Sequence, residues 1–140
     1  MSLIFVIGIW LFHRSNIFYF SELTNVTLIQ LIFIGLFLWA MKHQLEAHKI
    51  FASLKKKSSE SHSVPHGDWF KYVSCPHYLA EILIYLSLLM ILGFKHKTAC
   101  LIFAWVLTNQ IIAGLMSHMW YRKKFKNYPT NRKAVIPFLI

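Results

Sequence analysis

The sequence predicts an all-α integral membrane protein with about four membrane helices, and three observations predict it. Of its 140 residues, 56% are hydrophobic and only 14% charged, far from the average of a water-soluble domain. Apolar runs at 26–41, 78–94 and 98–121 approach or exceed the ~20 residues that a helix needs to cross ~30 Å of hydrocarbon. Basic residues flank these runs, six of them in 42–77 and six in 122–140. Two spans separate those basic regions, so both face one side, and the positive-inside rule makes that side cytosolic. The net charge of +10 is not gathered into a stripe on a soluble face. Membrane lipid headgroups account for it, and no nucleic-acid partner is expected.

The elements follow in order. The run at 2–12 is too short to span alone and lacks a basic n-region and a cleavage site; it reads as the tail of a truncated first membrane helix. Residues 14–25 then face the lumen, where the sequon at Asn25 abuts the bilayer and is a poor acceptor. Thr24 is a candidate N-cap for a helix that continues past Met41 through KHQLEAHKIFASLKK and emerges into the cytosol. KKKSSESHS (55–63) is a polar linker, and Val64-Pro65-His66-Gly67 suits a type I turn. Trp69, Phe70 and Tyr72 suit a segment along the headgroups. A new helix starts at Pro76, with Ser74 or Cys75 as its cap, and the chain reverses at 95–97. Cys75 and Cys100 fall near opposite ends of membrane helices and are expected as free thiols.

Three constellations could carry chemistry. HQLEAH (43–48) and HSVPH (62–66) have the histidine spacings of di-iron boxes, but Pro65 keeps the second pair off one helical face. No metal is expected. His77 and Glu81 lie four apart at the start of a membrane helix, where exposed backbone N–H groups favour an anion; a nucleotide contact and an interhelical ion pair both fit. On the last span, Ile111, Gly114, His118 and Tyr121 share a face, with Gly114 leaving room for a ring or a neighbouring helix, and Asn109 lies half a turn round from His118. Asn109 and Gln110 suit interhelical hydrogen bonds, and His118 and Tyr121 suit either binding or anchoring. No glycine-rich phosphate loop is present.

The pieces P-x-G-D-W-F-x-Y-V-S-x-P-x-Y-L-A-E (65–81), N-Q (109–110), S-H-x-x-Y (117–121) and Y-P-x-x-R-K-A-x-x-P-F (128–138) occur in this order. Together they closely resemble the C-terminal half of the steroid 5α-reductase family, from about residue 43 to the end. GDWF, SCPHYLAE and SHMWY look most like the branch that makes dolichol from polyprenyl lipids. The resemblance implies a C-terminal domain over 1–140, part of a seven-helix bundle: membrane helices at 1–42, a cytosolic NADPH-facing loop at 43–77, a helix hairpin at 78–121 and a basic cytosolic tail at 122–140. It implies an endoplasmic-reticulum oxidoreductase, active in lipid metabolism and protein glycosylation, that uses NADPH to saturate the α-isoprene double bond of a polyprenyl lipid. Cofactor contacts carry over to Gln44, His48, Lys55, His77, Glu81, Asn109, Tyr121 and Arg132, with His118 as the candidate catalytic position. Lys55 stands where the family has arginine, keeping the charge and losing the bidentate fork.

Hydride adds readily to an α,β-unsaturated carbonyl, whereas an allylic alcohol has no electron sink, so the aldehyde is the expected substrate. The family's substrate-polarising Tyr and Glu lie in an N-terminal half with no counterpart here, so the sequence reads as a fragment expected to be inactive alone. Steroid and enoyl-CoA reductases of the same family, or an inactive truncated membrane protein, are the alternatives. The membrane methyltransferases fit poorly, since their R-H-P and paired-glutamate signatures are missing.

Overall fold

A computed structural model describes residues 27–57 and 64–139. Within them the order is helix α1 (Leu28–Lys57), a 3₁₀ turn (Asp68–Lys71), helix α2 (Pro76–Leu92), helix α3 (Lys97–Lys124) and an irregular tail. The expected truncated helix at 2–12, Thr24 and the sequon at Asn25 lie outside the described residues.

α1 starts with a reciprocal cap. Thr27 N–H donates to Gln30 Oε1 at 2.9 Å, and Gln30 N–H donates to Thr27 Oγ1 at 3.4 Å, which satisfies two donors that the first helical turn leaves without partners. Gln30 also donates from Nε2 to Ile91 O at 3.2 Å, tying the start of α1 to the end of α2. The two helices are therefore antiparallel. With 30 residues, α1 runs roughly 45 Å at 1.5 Å per residue, so it extends well beyond the hydrocarbon, as the sequence implies.

α1 and α3 are long and apolar enough to cross a membrane, and α2 is a shorter apolar helix. What they expose distinguishes them from the core helices of a soluble protein. Leu28 is 74% exposed, Leu101 71% and Trp105 66%, an arrangement that water would penalise by about 25 cal/mol per Å² and lipid would not. α2 is the most enclosed of the three, with Ala80, Ile82, Ile84, Ser87 and Leu89 buried.

The chain reverses at Gly93–His96, slightly earlier than the sequence suggests. Gly93 adopts φ +79° and donates to Leu89 O at 2.8 Å, a helix end that a side chain would strain. The reversal expected at Val64–Gly67 is made one step later, at Gly67 (φ +105°) and Asp68 (φ +41°). With Gly67 already past the bend, the 3₁₀ turn begins at once.

Pro76 is the first residue of α2, as expected, but neither Ser74 nor Cys75 caps it with a side chain. The tail pairs its backbone with the residues just before the helix. Lys133 N donates to Tyr72 O at 3.0 Å, Ser74 N to Lys133 O at 2.8 Å, and Cys75 N to Ala134 O at 3.1 Å, a short parallel pairing centred on Val73 and Lys133. Ala134 and Val135 then join the core beside Ile82, with Tyr78, Phe103, Leu107 and Ile111 packed around them. The end of α1, the start of α2, the end of α3 and the tail are thus gathered at one polar end.

Two outcomes follow from this packing. A Cβ on Gly114 would collide with the Val135 side chain and touch Tyr78, so Gly114→Ala should destabilise the detergent-solubilised protein by about 1–3 kcal/mol. Adding Val135→Ala should recover much of the loss, as thermal unfolding of the single and double variants would show. Cys75 is buried, and burial pushes its thiol up to about 12, partly offset by a hydrogen bond from Ser117. Because the thiolate is the reactive form, maleimide should label Cys75 only after unfolding in SDS.

Candidate functional site

The polar end holds two groups of side chains. The first lies between α1 and α2. Gln44, His48, Phe51 and Lys55 recur at i, i+4, i+7 and i+11, which at 100° per residue makes one stripe along α1. His48 faces His77 with ring centres 5.9 Å apart, and Phe51 meets His77 edge-on at 5.1 Å. His77 in turn lies 4.0 Å from the Tyr78 ring, and its Nδ1 is buried without a hydrogen-bond partner. Glu81 sits one turn further along the same face, half-buried, yet does not satisfy that nitrogen. Gln44 is half-buried and Lys55 exposed at the far end of the stripe.

The second group lies between α3 and the tail. Ser74 Oγ is 2.6 Å from His118 Nδ1 and 2.6 Å from the Tyr128 hydroxyl, with Ser74 fully buried. Tyr121 stacks on Tyr128 at 5.6 Å with planes 14° apart. The face predicted for Ile111, Gly114, His118 and Tyr121 is real, and what fills the space at Gly114 is the tail's Val135. Asn109 is exposed on the opposite side of α3, so the structure does not bring it to His118. Tyr78 joins the two groups, since it touches His77 on one side and packs beside Gly114 on the other.

Beside the second group opens a cleft of about 420 Å³ lined by His66, Gly67, Asp68, Lys71, Pro129, Asn131 and Arg132. Arg132 is only 5% exposed. It donates from Nη1 to Pro65 O at 3.0 Å, pairs Nη2 with His66 Nδ1 at 3.0 Å, and lies 5.5 Å over the Tyr128 ring. Among the described residues no carboxylate pairs with it. The nearest candidate on the cleft wall, Asp68, is held by His43 at 2.9 Å to both carboxylate oxygens. His43 is fixed there by stacking on Trp69 at 4.2 Å and by Trp39 edge-on at 4.9 Å.

These contacts bear on the two histidine boxes. His43 and His48 are committed to different neighbours, His66 is engaged by Arg132, and His62 lies outside the described residues. Among the described residues no group of three His, Cys, Asp or Glu side chains converges as a metal site would require. Sequence reasoning missed Ser74 and Tyr128 as partners of His118, and His43 as the partner of Asp68. Ser74 had looked like a cap because it precedes a helix-starting proline; its hydroxyl is instead turned toward residues 44 and 54 positions away.

Comparison with known proteins agrees with this arrangement of motifs. Residues 2–140 match the family model described as 3-oxo-5-alpha-steroid 4-dehydrogenase. Relatives include the polyprenal reductase of Xenopus tropicalis, 43% identical over 122 residues that cover 84% of this chain and 40% of the relative. Polyprenal reductase 1 of Arabidopsis thaliana is 41% identical over 119 residues, with 84% and 37% covered. The polyprenal reductase of Homo sapiens is 41% identical over 109 residues, with 74% and 34% covered. The chain therefore spans about two fifths or less of the length of these relatives. A family match along nearly all of its residues, joined to ordered motifs that converge at one polar end, leads to one conclusion: the chain belongs to the 3-oxo-5-alpha-steroid 4-dehydrogenase family, the steroid 5α-reductases.

Proposed function

We propose that this chain forms the nucleotide-binding part of a membrane reductase that uses NADPH to saturate the α-isoprene double bond of a polyprenyl aldehyde, on the route to dolichol. The observation that carries this reading is Arg132, a buried guanidinium with no carboxylate partner among the described residues, which forms part of the wall of a cleft with Lys71 and His66. A buried charge costs several kcal/mol unless it is compensated, and a nucleotide phosphate supplies the missing anion in a geometry that arginine matches well. Asp68, on the same cleft wall, is engaged by His43 through a 2.9 Å contact to each carboxylate oxygen.

The fit extends along the polar end. Arg132 and Lys71 would hold phosphate, while His77, with its unpartnered Nδ1, and the α1 stripe of Gln44, His48 and Lys55 would line the rest of the nucleotide. Glu81 is placed to bond a ribose hydroxyl from the same face of α2 as His77. Tyr121 and His118 would border its reactive end, and Asn109 belongs to the proposed contact set only if the nucleotide reaches the far side of α3. When bound, NADPH supplies a hydride, which an α,β-unsaturated aldehyde accepts because negative charge can move onto its oxygen. Relatives named for the aldehyde, polyprenal, favour this lipid over a steroid or an enoyl thioester. The basic polar end would face the cytosol at the endoplasmic-reticulum membrane.

Arg132→Gln tests the reading directly. Hydrogen bonds to charged groups contribute about 1.5–3 kcal/mol each, so the variant should bind NADPH at least about tenfold more weakly. Tryptophan-quenching titrations of the detergent-solubilised chain would measure this. Equal NADPH affinity in wild type and variant, with folding intact, would remove Arg132 from the site.

A further inference from the structure

The three-residue chain Tyr128–Ser74–His118 can be read for its protons. Ser74 Oγ lies 2.6 Å from both of its neighbours and carries a single hydrogen, so it can donate to only one of them. If His118 donated from Nδ1, Ser74 would have to pass its hydrogen to the Tyr128 oxygen. The phenolic hydrogen of Tyr128, 7% exposed and bonded to no other residue among those described, would then have no acceptor. Leaving a buried donor unmade costs about 1–3 kcal/mol, and a doubly protonated His118 meets the same obstacle. The opposite direction satisfies every group: Tyr128 donates to Ser74, and Ser74 donates to His118 Nδ1. The relative strengths agree, since a phenol is the better donor and an aliphatic hydroxyl the better acceptor.

We propose that Ser74, which accepts from Tyr128, is a positioning residue that holds His118 as the neutral Nε2–H tautomer, so that its second nitrogen presents a hydrogen-bond donor to the ligand's carbonyl oxygen. Ser74 Oγ fixes the ring through Nδ1, and Nε2 has no protein partner among the described residues. The tail thereby sets the state of a side chain on α3. Its backbone pairing with residues 72–75 holds Ser74, and its Tyr128 donates to Ser74 Oγ. The ligand in question is the unsaturated aldehyde, and that part rests on the function proposed above; the tautomer does not.

Nitrogen NMR of the full chain in detergent micelles, labelled on its histidines, separates the two parts. The His118 signal is assigned by its loss in His118→Asn. At neutral pH the wild type should show an unprotonated Nδ1 and a protonated Nε2. Ser74→Ala should give a mixture of both tautomers with helix content unchanged. Tyr128→Phe leaves His118 Nδ1 as the one side-chain acceptor for the buried Ser74 hydrogen among the described residues, so it should keep the Nε2–H form. Ser74→Cys, whose thiol is a weak donor, should let the Nδ1–H form grow in and keeps the test alive if Ser74→Ala does not fold. A wild-type His118 protonated on Nδ1, or tautomer signals unchanged in the folded Ser74 variants, overturns the proposal. For the aldehyde, membranes containing reductase activity should lose at least tenfold in kcat with Ser74→Ala and recover part of it with Ser74→Thr, at constant NADPH KM. A normal kcat beside the expected tautomer shift would refute the aldehyde contact and leave the tautomer assignment standing.

Discussion

The polar end of this protein depends on one interaction: the backbone pairing of the tail with residues 72–75, just ahead of α2. The first turn of α2 is met locally, since Pro76 has no N–H and Tyr78 and Leu79 donate to Cys75 O at 3.1 and 3.4 Å, which leaves the residues before the helix in need of partners. The tail answers with its backbone, placing Lys133 and Ala134 against Tyr72, Ser74 and Cys75. Once that pairing forms, the rest of the site is determined by adjacency. Arg132 precedes the paired residue and enters against Pro65 and His66, Val135 follows it into the space at Gly114, and Tyr128 reaches Ser74. A segment of about eight residues thus positions the buried cation, the His118 network and the closure of the α3 face together.

The division of labour between membrane and polar end follows from the same physics. Along the helices, apolar side chains face outward and the packing is sparse on α1, because lipid supplies what a protein core would otherwise have to. At the polar end a buried charged group must be compensated within the protein or by a ligand. Asp68 is hydrogen-bonded by His43, and Glu46 pairs with Lys49 at 2.8 Å. Arg132 stands apart, and two neutral acceptors, Pro65 O and His66 Nδ1, orient it without cancelling its charge. With no carboxylate beside it among the described residues, the guanidinium is held in place by neutral acceptors, and little side-chain entropy is left to it.

The helices were legible in the sequence because their signals are local. Apolar runs of the right length gave α1 and α3, and Pro76 gave the start of α2 to the residue. Boundaries set by hydrogen bonds to side chains were less visible: the Thr27–Gln30 cap becomes apparent only when both residues are known to sit at a helix start. The His118 face was legible from helix spacing, whereas Gln44, His48 and Lys55 were offered by resemblance alone and their common stripe on α1 appears first in the fold. The wiring of the site was not legible. Ser74 meets His118 across 44 residues, and Arg132 meets Pro65 across 67, and no spacing rule reports on contacts of that range.

The same distinction explains why the histidine-rich loop misleads when read alone. His43, His48 and His66 look like members of one chelating set because they are close in sequence. In the fold each answers a different local demand: His43 bonds to Asp68, His48 faces His77, and His66 accepts from Arg132. Imidazole suits all three roles because it can donate, accept or stack according to its neighbours. The loop between the membrane helices is rich in histidine because it must reconcile an acid, a buried cation and an apolar helix start within some forty residues.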